Sequence, residues 1–189
     1  MQALENGEGA DLATDAGCLS DGWTVELWIQ LPESQGDEEL LLFSRRPVSG
    51  GVVGPAALSW YYRPKPSSFR VLAANESGGS LQVLAGACEA LPQGWVHLAL
   101  RSDLKIVEIW VNSKVVLRSS PETVTQMLSV PVEADLCFGP APGLELTEVR
   151  VWGVFRSDSD LLQNQRQSLH SLLQHEMRAE AWKKVKIRS

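Results

Sequence analysis

No stretch of the 189-residue chain approaches the ~20 consecutive apolar residues a membrane-crossing helix requires. The start, Met1 to Asn6, also lacks the basic-then-apolar plan of a signal peptide. The sequence therefore predicts no transmembrane segment. Cysteine is scarce: Cys18, Cys88 and Cys137 are odd in number and far apart, which fits neither a disulfide framework nor a Cys-x-x-Cys metal spacing. This usage points to a reducing, intracellular and cytoplasmic setting. Cys137, between Leu136 and Phe138, reads as a small core residue.

Basic residues are absent from Glu5 to Glu39, and the net charge is −6. A nucleic acid partner for the body of the chain is thereby disfavoured, because phosphate contacts need a basic surface. The cations gather at the end instead, as Arg178, Lys183, Lys184, Lys186 and Arg188. That basic tail is expected to lead out of the domain, with an acidic surface as its possible contact. Both ends lie close to patterned sequence, as expected of a piece of a longer protein.

What the sequence does have is alternation. Hydrophobic residues make up 44% and charged residues 21%, a globular composition. Up to about residue 155 the apolar positions recur with the period of two that marks half-buried strands. Thr24 to Leu31 is the clearest case, with Val25, Leu27, Ile29 and Leu31 on one face and Glu26, Trp28 and Gln30 on the other. Further strands are expected at Leu40 to Ser44, Leu58 to Arg63, Phe69 to Ala74, Leu81 to Ala85 and Trp95 to Arg101. Lys105 to Val111 and Lys114 to Arg118 should form a hairpin about Asn112-Ser113, and two more strands follow at Leu136 to Phe138 and Leu146 to Trp152. This pattern predicts an all-β, antiparallel two-sheet sandwich over residues 1–156.

At Ser157 the texture changes. Ser157 and Asp160 read as a capping box opening a C-terminal α-helix from Asp158 to about Trp182, within a segment, residues 157–189, that ends in the basic tail. Leu169, Leu172, Leu173 and Met177 would give that helix an apolar stripe, packed on the sandwich edge or docking a partner.

Four segments carry a family likeness. Asp21 to Ile29 resembles the Phe-Thr-Ile-Glu-Ala-Trp-Ile strand of the concanavalin A-like lectin and glucanase superfamily, in its laminin G-like and pentraxin-like branch. Gly94 to Ala99 resembles its Gly-x-Trp-x-His-Val-Ala strand. Ile106 to Lys114 is similar to its Leu-Tyr-Val-Asn-Gly-Lys hairpin, with Ser113 where glycine is usual. Leu146 to Trp152, followed by Arg156-Ser157, resembles the closing Asp-Glu-Val-Arg-Ile-Trp strand and its capped extension. The resemblance implies a jelly roll, a fold that carries lectins, adhesion modules, glycan hydrolases and scaffolding domains alike.

Hydrolases of that superfamily carry alternating carboxylates on one strand, and no strand here has them; the dense acidic run Asp37-Glu38-Glu39 lies in a hydrophilic loop. His97, His170 and His175 form no triad pattern. Relatives often hold calcium, yet Asp103, Asn112, Asp135, Asp158 and Asp160 show no ligand spacing, so no cofactor or metal is expected. The expectation is a non-catalytic binding module for a protein or a glycan within a larger protein. The rival readings are an assembly scaffold docking through the C-terminal helix, and a glycan hydrolase.

For ligand contact the sequence offers two sets. Trp60, Tyr61, Tyr62 and Arg63 form an aromatic cluster, at least one of whose rings belongs in the core. Glu108 and Trp110 belong to a polar and aromatic face that also includes Glu26, Trp28, Trp95, His97, Glu148, Arg150 and Trp152. Sugar rings stack on such faces, although these residues coincide with the family's fold motifs and so also read as a structural layer.

Overall fold

The structure is a computed structural model that describes residues 11–13, 22–32, 36–49, 52–53, 58–74, 80–103, 105–120, 134–138, 143–166 and 186–188. Among the described residues thirteen strands run in chain order: β1 (Asp11–Ala13), β2 (Trp23–Gln30), β3 (Leu40–Ser49), β4 (Val52–Val53), β5 (Leu58–Pro64), β6 (Ser67–Ala74), β7 (Ser80–Ala87), β8 (Trp95–Ser102), β9 (Val107–Val111), β10 (Lys114–Arg118), β11 (Ala134–Phe138), β12 (Glu145–Trp152) and β13 (Lys186–Arg188). The helix α1 spans Asp158–Arg166.

The strands form two antiparallel sheets. One has eight strands in the order β13-β1-β11-β3-β5-β6-β7 with β4 beside β3, and the other has five in the order β10-β9-β8-β2-β12. The fold is an all-β two-sheet sandwich with a C-terminal helix, as the alternation predicts.

Alternation explains why the sheets face each other. In the smaller sheet Val25, Leu27, Ile29, Val96, Leu98, Leu100, Val107 and Ile109 are all fully buried between the layers. The larger sheet answers with Phe43, Trp60, Tyr62, Phe69, Val71 and Phe138. Its rings pack at tilted angles, with centroids 5.0 Å apart for Tyr62 and Phe69 and 5.6 Å for Phe43 and Phe138. Each buried aromatic removes on the order of 150–250 Å² from water, which makes this layer the main source of cohesion.

The β9–β10 hairpin turns through Asn112 and Ser113 at φ 45° and 64°. Both central residues are left-handed, the twist that matches two right-handed strands. Cys137 is half-buried rather than a core residue: on β11 it alternates with Phe138, and Phe138 takes the interior position.

The basic end differs from expectation. Lys186–Arg188 does not simply lead away but returns as β13 beside β1, with Ile187 opposite Leu12. One apolar residue between two cations is too short a pattern to separate an edge strand from a solvated tail. The part of the expected helix beyond Arg166, with Leu169, Leu172, Leu173 and Met177, lies outside the described residues.

Candidate functional site

The outward side chains of the five-stranded sheet form a polar and aromatic layer, and α1 lies across part of it. The helix begins with a reciprocal cap: Ser157 N–H donates to Asp160 Oδ2 at 3.0 Å, and Asp160 N–H donates to Ser157 Oγ at 3.2 Å. Burial alone would raise the Asp160 carboxyl, but the Ser157 side-chain and backbone hydrogen bonds and the charge of Arg156 outweigh it and hold the group below its ordinary value. Leu161, one turn on, is fully buried against Ala99 and Trp110. Asn164, three residues later on the same helix face, is also buried.

Beneath the helix two carboxylates are enclosed by donors. Glu26 is fully buried; its Oε1 accepts Trp152 Nε1–H at 2.6 Å and Asn164 Nδ2–H at 2.7 Å, and its Oε2 lies 3.2 Å from His97 Nε2. Glu108, likewise fully buried, accepts Arg101 Nε–H at 2.7 Å and Trp110 Nε1–H at 3.1 Å on Oε2, and Arg118 Nε–H at 2.5 Å on Oε1. Arg101 also reaches the Arg156 carbonyl at 2.5 Å and Asp158 at 2.6 Å, held between the rings of Trp110 (4.4 Å) and Phe155 (4.3 Å). Arg150 donates to the Asn164 carbonyl at 2.8 Å and to Glu148 at 2.5 Å. These charge-assisted bonds fasten the helix to the sheet.

The structure therefore divides the expected ligand residues. Glu108 and Trp110 lie under α1 with polar atoms already engaged. Trp60 and Tyr62 point into the core, as alternation along β5 requires, while Tyr61 is half-buried and Arg63 exposed on the outside. Arg70 stacks on the Tyr61 ring at 5.1 Å and pairs with Glu39. The four consecutive residues thus do not share one surface.

Of the expected oxygen donors, Asp103 accepts the N–H of Lys105 and of Ile106 at 3.0 Å, Asn112 accepts that of His97 at 3.1 Å, and Asp158 pairs with Arg101. Away from this face, burial pushes the Cys88 thiol up, partly offset by its hydrogen bond with Ser67.

Among the described residues, α1 covers only part of this face. The register places Gln30 between Glu145 and Trp95, and Trp28 between Thr147 and His97. Trp95 is 43% exposed, whereas Trp28 is half-buried with its ring 5.3 Å from that of His97. A bulge between Thr147 and Arg150, with Glu148 at φ 49°, separates this open end from the covered one. Sequence reasoning placed Trp28 and Trp95 on the face but missed Asn164 and Phe155. Asn164 carried a readable signal in its three-residue spacing from Leu161; Phe155 carried none.

No family model matches the chain, and no curated protein matches it. Solved structures do. The receptor binding domain of botulinum neurotoxin mosaic serotype C/D aligns with a TM-score of 0.59 and 9% identity over 77% of this chain and 36% of its own. The binding domain of botulinum neurotoxin DC in complex with SialylT gives 0.60 and 8%, covering 82% and 38%. The Trypanosoma rangeli sialidase in complex with the inhibitor DANA gives 0.53 and 15%, covering 79% and 23%. The likeness shows the fold. This chain spans well under half of each of these neighbours.

Proposed function

We propose that the chain is a non-catalytic recognition module of concanavalin A-like build, in the laminin G-like or pentraxin-like style, within a larger intracellular protein. The carrying observation is the division of one sheet face. Glu26 and Glu108 are fully buried and each has both carboxylate oxygens committed to donors, an arrangement suited to holding a helix and not to exchanging protons with a substrate. Among the described residues, the exposed Trp95 beside the half-buried Gln30 and Trp28 gives a ligand an aromatic and polar surface beyond α1.

Two further facts support the reading. The segments that resemble the superfamily fall on β2, β8, the β9–β10 hairpin and β12 with α1, all on the five-stranded sheet. A neighbour of the same fold is a binding domain solved with SialylT.

Immobilised chain should capture a glycan or a protein saturably. Polysaccharide turnover that disappears in Glu148→Gln would replace this reading with a hydrolase. The scaffold alternative has one observation in favour, Leu162, 41% exposed on α1. On that reading Leu162→Glu, or Leu169→Glu with Leu172→Glu, abolishes assembly while ligand capture survives.

A further inference from the structure

We propose that the open end of the five-stranded sheet, where Trp28 and Trp95 flank Gln30, is a stacking site for a neutral hexopyranose. The inference rests on the recognition reading and names its ligand class. Because Gln30 pairs with Trp95 and Trp28 pairs with His97, the two indoles are diagonal neighbours across β2 and β8. Diagonal neighbours stand about 7–8 Å apart, within the reach of one sugar ring laid over both. The platform is held in advance: Trp28 packs on the buried His97 ring, whose Nε2 lies 3.2 Å from Glu26 Oε2. Rigid rings lose little freedom on binding.

The polar groups beside the rings decide the ligand. Gln30 supplies an amide that donates and accepts, Thr147 a hydroxyl, and Glu145 an exposed carboxylate. These match the alternating C–H face and hydroxyl rim of a pyranose, the first against indole and the second against hydrogen-bonding groups. An anionic sugar fits worse. Glu145 repels it, and the cations of this face, Arg101, Arg118 and Arg150, are already engaged by Glu108 and Glu148.

The test is a titration of the whole chain with neutral tetrasaccharides of glucose, galactose and mannose and, as the anionic arm, sialyllactose. Binding is read by intrinsic tryptophan fluorescence and by indole N–H resonances. At least one neutral sugar should bind saturably and shift two indole signals. Trp95→Ala, at an exposed position, should melt like the parent and lose affinity at least about fivefold, as removal of one stacked ring does for nucleobases. Trp95→Phe should stay within about threefold, since it keeps a ring. Unchanged affinity in a folded Trp95→Ala variant overturns the site yet leaves the recognition reading standing. So does preference for sialyllactose, or capture of a protein alone. Failure to capture any glycan or protein removes both.

Discussion

Glu26 on β2 and Asn164 on α1, 138 residues apart in sequence, meet in a buried hydrogen bond of 2.7 Å. This contact joins the clearest strand of the chain to its one described helix. A buried carboxylate is stable only while its donors stay in place, so removing either partner leaves a polar group without compensation.

Asn164→Ala is therefore expected to cost about 1–2 kcal/mol, and Glu26→Ala about 3 kcal/mol because it strands three donors. The double variant should fall short of the sum by at least about 0.5 kcal/mol, the sign of a shared interaction. Urea unfolding of the four proteins measures this. Additive losses would mean that the two residues act independently.

The capping box gives a prediction in pH. Asp160 is held below its ordinary value in the folded chain, so the unfolded chain takes up the proton more readily. Its contribution is complete above the unfolded value of about 3.9 and is lost as pH falls through the lower folded value. Asp160→Asn should cost only about 0.5 kcal/mol at neutral pH, because the side chain is largely solvated. Helix stability below about pH 4 should then depend less on pH in the variant than in the parent. Amide exchange in α1, followed from neutral to acid pH, reads the difference.

Gly86 tests how the sheet edges meet. A Cβ there would approach Leu117 Cδ2 to 2.5 Å, linking β7 of the larger sheet to β10 of the smaller. Gly86→Ala should cost about 1 kcal/mol, unless the leucine can turn aside. Leu117→Ala should cancel that penalty in the double variant, and thermal melts of the set would show it. A penalty that persists without Leu117 would place the strain elsewhere.

The fold was legible because burial imposes a period. Val25, Leu27 and Ile29 announce their strand since each must face the core, and Asn112-Ser113 announces its turn since few residues accept φ above zero. The outer face was harder to read for the same reason. Alternation states that Glu26, Trp28, Trp95 and Trp110 point away from the core but not what lies over them. Trp110 proved to be covered by Leu161, and Trp95 exposed. In the cluster from Trp60 to Arg63 the sequence places at least one ring in the core without saying which; the strand sends Trp60 and Tyr62 inward and Tyr61 and Arg63 outward. The return of β13 to β1 rests on three residues, too few to declare a period.

Arg101 and Arg118 bind the same carboxylate from opposite circumstances, and that contrast yields the sharpest stability test. Arg101 is 3% exposed and Arg118 59%, while Glu108 between them is fully buried. Lysine keeps the charge but not the planar fork, and it cannot lie between the rings of Trp110 and Phe155 as a guanidinium does. Arg101→Lys should thus cost about 2–4 kcal/mol, since the Arg156 carbonyl and Asp158 lose their donor together with Glu108. Arg118→Lys should cost less than about 1 kcal/mol, because water substitutes for what it gives up. Hydrogen exchange should show protection at the start of α1 falling in Arg101→Lys before global unfolding, because Arg101 is what holds that end of the helix to β8. Equal losses for the two variants would contradict the role given to burial, and unchanged protection at Asp158 to Leu161 would contradict the clamp.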